Sequence, residues 1–184
     1  MTTAVTPFVT RRLNRKHSPY IEAHLLSLSG YDRQMRFGNR LANSAIRDYL
    51  KHVDFDSDIV LGMFDDEKSL IGFSHLAIRP CNAEGETPTQ TQLTNGELGL
   101  SVVDGHKGRG YGTQLFDQTI EHAQKKGVST VIIHSFLGNV PMLKLARKAG
   151  AQIERTLSEA QAIIRLPRGK ASEAGVASGT SPAC

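Results

Sequence analysis

The sequence predicts an α/β domain, a single mixed sheet with helices on its faces and crossing between neighbouring strands in its second half. Three observations carry this. Runs with strand character recur along the chain, as in DIVLGMF, LIGFSHLAIR and VSTVIIHSF. Segments with apolar residues at i, i+3, i+4 and i+7 are interleaved with them. Glycines close the later helices, Gly127 after Lys126 and Gly150 after Ala149.

Taken in order, residues 8–13 are expected as a first strand. SPYIEAHLLSLS reads as a helix, with Pro19 in its first turn and Ile21, Leu25 and Leu28 on one face. GYDRQMRFGNRL reads as a polar connection. NSAIRDYLKHV follows as a helix with Ile46, Tyr49, Leu50 and Val53 on its apolar side. Residues 58–79 form a hairpin turning at 65–68. Residues 81–96, rich in Thr and Gln, read as a long loop, and residues 97–103 as a strand. Residues 110–126 are helical, with Leu115, Phe116, Ile120 and Ala123 inward and Lys125 and Lys126 suited to the C-terminal dipole. VSTVIIHSF is a buried strand. NVPMLKLARKAG is a helix capped by Asn139, with Met142, Leu145, Ala146 and Ala149 on one face. Two strands around Ser158 and Glu159 close the domain at residue 167. Residues 168–184 have no apolar period and are expected to be a disordered tail.

The 184 residues suffice for one domain with a real core. The apolar fraction of 39% is ordinary for a globular protein. No apolar run approaches the roughly 20 residues that span a bilayer, and MTTAVTPFVTRR has no secretory pattern, so a cytoplasmic protein without a membrane role is expected. Cys81 and the terminal Cys184 do not suggest a disulfide framework. The net charge of +4 favours an anionic ligand, but with no tryptophan and 6% aromatics a base-stacking platform is disfavoured and no nucleic-acid partner is expected. The cluster Arg11, Arg12, Arg15 and Lys16 reads as a solvated strand edge. The seven histidines show no metal-ligand spacing, so no metal is expected; His75 and His134 sit in strands and read as structural.

The most informative stretch is SVVDGHKGRGYGTQLF. It places Gly105, Gly108, Gly110 and Gly112 with Lys107 and Arg109 between a strand and a helix. The first N–H groups of a helix lack internal partners, the dipole adds positive charge, and glycines let a phosphate approach the backbone. Residues 107–113 therefore suit a phosphate or pyrophosphate. A nucleoside-triphosphate loop fails because Tyr111 stands where its lysine belongs. A dinucleotide fingerprint fails because Thr113 stands at its third glycine and the repeated βαβ units are missing.

KGRGYG resembles instead the [Q/R]-x-x-G-x-[G/A] loop of the GNAT superfamily of N-acetyltransferases, with Lys107, Gly110 and Gly112 at the matching places. NVPMLKLARKAGA resembles the family's second motif, from Asn139 through Met142 and Leu145 to Gly150, and GYDRQMRF looks like the entry loop of bacterial members. The resemblance spans residues 8–166 and is closest to bacterial protein-lysine acetyltransferases. It implies one mixed, mostly antiparallel sheet of about seven strands flanked by four helices. It also implies acetyl-CoA as cosubstrate, with Lys107, Gly108, Arg109, Gly110, Tyr111, Gly112 and Thr113 on the pyrophosphate, Leu100, Ser101 and Val102 along the pantetheine arm, and Asn139 facing the cofactor. Glu97 corresponds to the general base of look-alike lysine acetyltransferases, and reads otherwise as a solvated strand-end carboxylate. Tyr31, Arg33, Arg36 and Phe37 lie where the family shapes its acceptor site, and Arg36 and Phe37 suit bracing of the loop as well. Two places depart from the pattern: Ala146 replaces the tyrosine that protonates the thiolate in many members, and Ala151 replaces a final aromatic. The implied activity is acetyl transfer to an amine on a protein or a small molecule, by a monomer or homodimer. The alternative is an inert acyl-CoA-binding regulatory domain.

Overall fold

The computed structural model describes residues 8–80 and 94–167. Most of the loop expected at 81–96, and the tail expected at 168–184, lie outside the described residues. The strands are β1 (Thr10–Arg12), β2 (Ile59–Phe64), β3 (Leu70–Pro80), β4 (Thr94–Val102), β5 (Thr130–Phe136), β6 (Gln152–Arg155) and β7 (Glu159–Arg165). The helices are α1 (Ser18–Ser27), α2 (Gly30–Phe37), α3 (Asn43–Lys51), α4 (Tyr111–Lys125) and α5 (Val140–Lys148). The seven strands form one sheet in the order β1-β2-β3-β4-β5-β7-β6, antiparallel throughout except for the β4–β5 pair.

Each face of the sheet carries its own core. Ile21, Leu25, Ile46, Leu50 and Val53 of α1 and α3 and the turn after α3 cover Val60 and Phe73 on one face. Leu115, Phe116 and Ala123 of α4, with Met142 and Ala146 of α5, cover Leu61, Leu76, Leu98, Val131 and Ile133 on the other. Buried on both sides, β2 reads as the continuous apolar run IVLGMF. Each large apolar side chain so buried contributes about 1.5–3 kcal/mol. Of the basic cluster, Arg11 and Arg12 lie on the edge strand β1, which is shorter than the residues 8–13 expected, whereas Arg15 and Lys16 lie in the 3-10 turn Arg15–His17 that follows.

The sheet is the expected one, but among the described residues there are five α-helices rather than four. The additional one is α2, inside the stretch read as a polar connection. Its N-cap is Ser29, whose Oγ accepts the Asp32 N–H at 3.1 Å, and Gly38 at φ 81° ends it in the left-handed region. None of its residues is fully buried. It lies against β4 and β5 and meets the core only through the half-buried Phe37 at its end, which is why it shows no apolar stripe in the sequence.

Candidate active site

The parallel pair β4–β5 holds together over only three positions, Asn95–Thr130, Gly96–Val131 and Glu97–Ile132. Beyond them β4 runs on to Val102 beside β3, and β5 to Phe136 beside β7. The two facing edges carry no ladder bonds to each other there, so the sheet opens as a fork with Glu97 at its vertex. The α4 and α5 helices both begin at the open end.

On the α4 side the site is made of backbone. After a turn at Asp104–His106 the chain passes Gly108 (φ 74°) and Gly110 (φ 87°) and enters α4. None of the N–H groups from 108 to 113 has an acceptor among the described residues; Gln114 is the first to bond back, to the Gly110 carbonyl at 3.0 Å. A Cβ on Gly112 would lie 3.8 Å from Leu100 and Val102, which seats the loop against the unpaired stretch of β4. Six unengaged N–H groups at a helix start form an anion cradle. Lys107 does not point its charge freely at this cradle. Its ammonium is clasped by Asp104 at 2.7 Å and by Asp32 of α2 at 2.5 Å. Partial burial pulls the lysine pKa down, but the two carboxylates outweigh it and hold it above the ordinary value. Arg109 is exposed.

The neighbouring side chains are structural. The Tyr111 ring is buried 5.2 Å from that of Phe8. Ser101 is buried and 2.8 Å from His24 Nε2, while His24 Nδ1 donates to the Leu70 carbonyl at 2.7 Å. Burial lowers the His24 pKa to about 4. Asn139 caps α5 through the Met142 N–H at 3.4 Å. Ala146 is wholly buried in the core beneath α5.

On the other face the fork opens into a cavity of about 560 Å³. Glu97 and Gly99 of β4 form one wall with His75 and Ala77 of β3, and His134, Ser135 and Phe136 of β5 form another. The C-terminal end of α2 roofs it with Arg36 and Phe37, and α3 contributes Tyr49. The Arg36 guanidinium lies over Gly99, where a Cβ would come within 1.6 Å of its Nη1, and 4.8 Å above the Phe37 ring. Its Nη2 donates to the Tyr49 hydroxyl at 3.2 Å. Tyr49 Oη is 2.5 Å from His75 Nδ1, and His75 Nε2 is 2.8 Å from Asp58 Oδ2. Asp58 is fully buried and also accepts the Ile78 N–H at 2.9 Å. Burial pushes its pKa up, but the hydrogen bonds from His75 and Ile78 outweigh that and hold it below the usual carboxylate range. Burial raises the Tyr49 pKa, against the lowering effect of Arg36.

The structure therefore brings Glu97, Arg36 and Phe37 to one cavity and gathers residues 107–113 at one helix start. Tyr31 is 58% exposed and does not line the cavity. Arg33 is taken up by the carbonyls of Leu26, Leu28 and Leu41, which locks the α1–α2–α3 connection. Sequence reasoning missed Asp58, Tyr49 and Gly99, and placed His75 and His134 only as structural residues. No local signal marks them: Tyr49 sits among the apolar positions of α3, and Asp58 precedes a strand. Among the described residues no cluster of three or more His, Cys, Asp or Glu is arranged for a metal, and no helix is long and apolar enough to cross a membrane.

Residues 27–151 match the Acetyltransferase (GNAT) family. The chain belongs to this family. Solved structures of the same fold include the GNAT domain of S. lividans PAT (19% identity, TM-score 0.67, covering 85% of this chain and 89% of that one). Another is Arabidopsis thaliana NAA60 in complex with a bisubstrate analogue (16%, 0.63, 89% and 100%). A third is the ribosomal-protein-alanine N-acetyltransferase of Brucella melitensis (18%, 0.60, 86% and 99%). At these identities they establish the fold. GNAT acetyltransferases use acetyl-CoA as cosubstrate, and this chain is an acetyltransferase by family.

Proposed function

We propose that the chain moves the acetyl group of acetyl-CoA to a primary amine by direct attack across the β4–β5 fork, with Glu97 as general base. The position of Glu97 carries this reading. It stands at the vertex of the fork, on the strand that leads to the anion cradle, and lines the cavity on the opposite face. The free N–H groups of residues 108–113 suit a pyrophosphate, and the open edge of β4 at Leu100, Ser101 and Val102 suits the amides of a pantetheine arm. Bound there, acetyl-CoA supplies a thioester carbonyl as the electrophile. The residues of the chain manage the protons. An alkyl ammonium has a pKa near ~10.4 and must lose a proton before it can attack. The exposed Glu97 carboxylate takes it directly or through one water and returns it to solvent. Ala146 has no proton to give, and a thiol of pKa about 8.5 departs without an acid.

The test is CoA release with lysine peptides, peptides with free α-amines, and polyamines, run beside a thermal-shift titration with acetyl-CoA. Ligand at 100 times its dissociation constant adds about 2.7 kcal/mol of stability. Turnover with one acceptor class supports the reading. A shift with ATP or NAD and none with acetyl-CoA overturns it.

A further inference from the structure

Two protons leave the acceptor nitrogen for every amide made from an ammonium. One goes before the C–N bond forms. The other goes after it, when the nitrogen carries a positive charge, as the C–S bond breaks. Glu97 accounts for the first. We propose that Tyr49, backed by His75 and Asp58, is the acceptor of the second, a reading that rests on acetyl transfer taking place in this cavity.

We assign the direction of the chain from its buried end. Asp58 has no proton to donate, so His75 Nε2 carries one and donates it to Asp58 Oδ2 at 2.8 Å. The other ring nitrogen, Nδ1, is then an acceptor, and the Tyr49 hydroxyl donates to it at 2.5 Å. Arg36 Nη2 donates to the phenol oxygen at 3.2 Å and fills one of its two lone pairs. The second lone pair remains for a donor in the cavity that Tyr49 lines. A proton arriving there from the charged nitrogen lets the phenol pass its own proton to Nδ1. The tyrosine ends neutral, the imidazole becomes imidazolium, and the buried Asp58 carboxylate balances the new charge. The proton then returns by the same route to the departed thiolate or to water, so atoms and charge balance over the cycle.

The groups facing His75 come from every element around it: Asp58 before β2, Tyr49 of α3, Arg36 of α2, Arg79 of β3, whose Nη1 is 3.4 Å from Asp58, and Glu97 of β4. A purely structural role would not require a phenol, an imidazole and a carboxylate in series to end at a cavity. The Phe37 ring, 5.2 Å from that of Tyr49, holds it independently of its hydroxyl, so Tyr49→Phe removes the proton carrier and keeps this packing.

The experiment is single-turnover acetyl transfer to the best amine of the panel, in mixtures of light and heavy water, for wild type, Tyr49→Phe and Glu97→Gln. Tyr49→Phe is expected to slow transfer by about 100-fold at unchanged acetyl-CoA affinity, and to turn a bowed dependence on deuterium fraction into a straight one. A rate within twofold of wild type, or the same bowed dependence, overturns the proposal; if Glu97→Gln is still slow, the transfer reading stands without it. A wild type that acetylates nothing removes the transfer reading and the proposal with it. The ¹⁵N spectrum of the His75 ring needs no acceptor. A proton on Nε2 and none on Nδ1 supports the chain, with the proton moving to Nδ1 in Asp58→Asn; a proton on Nδ1 in the wild type overturns it.

Discussion

The two sides of the fork are built from different materials. The α4 side is backbone: six N–H groups between Gly108 and Thr113 and two glycines with positive φ, all within a short span of chain. The cavity side is side chain: Arg36, Tyr49, Asp58, His75 and Glu97, drawn from α2, α3, the turn before β2, β3 and β4. A phosphate is recognised by any loop that presents N–H groups in a nest, so one local motif suffices. An acceptor amine needs charge and proton carriers at fixed points, and these can come from anywhere in the chain. The α2 helix joins the two sides, since Asp32 clasps Lys107 near the loop and Arg36 reaches over Gly99 in the cavity.

Substitutions on one side should leave the other intact. The largest effect on acetyl-CoA affinity is expected from Gly110→Val. A β-branched residue at φ 87° is strained by roughly 1–2 kcal/mol. Twisting the loop to relieve this costs at least two charge-assisted hydrogen bonds to phosphate at about 1.5 kcal/mol each. Acetyl-CoA affinity, read by calorimetry, should fall by about 100-fold. Next comes Gly99→Val. Its side chain would displace the Arg36 guanidinium, lowering kcat/KM for the amine by about 10- to 100-fold while acetyl-CoA affinity stays unchanged. Loss of cofactor affinity in Gly99→Val would break the separation of the two sides.

A pH effect links β4 to the core. Burial lowers the pKa of folded His24 to about 4, below the 6.5 of a free imidazole. The unfolded chain therefore binds a proton that the native one refuses. Stability is fully present above pH 6.5 and declines as the pH falls towards 4, by on the order of 3 kcal/mol. Denaturant melts of wild type and His24→Leu across this window should converge as pH drops. The smallest effect is expected from Lys107→Ala. Its ammonium is already shared by Asp32 and Asp104 in a partly exposed site, so acetyl-CoA affinity should fall by less than tenfold. A loss as large as that of Gly110→Val would show that side-chain charge rather than backbone carries the anion.

The same division decides what was legible in the sequence. The order of elements in the second half of the chain, the helix over Tyr111–Lys125 and the Asn139 cap follow from periodicity and capping, which are local. The GNAT loop is local as well. Helix α2 escaped because none of its residues is fully buried and only Phe37 reaches the core, so it has no apolar period, although Ser29 and Gly38 mark its ends. The Asp58–His75–Tyr49 chain escaped because its three members are separated in sequence and joined only by the β2–β3 register and the packing of α3. Arg33 shows the converse, a charged residue in a recognisable motif whose donors are used on backbone carbonyls.

Acetyl transfer across the fork with Glu97 as base is tested most directly by kcat and acetyl-CoA affinity in Glu97→Gln, which keeps the shape and removes the basicity. The expected result is a fall in kcat of roughly 10²–10⁴-fold with an unchanged dissociation constant for acetyl-CoA. A kcat close to that of the wild type would place the base elsewhere and contradict the account.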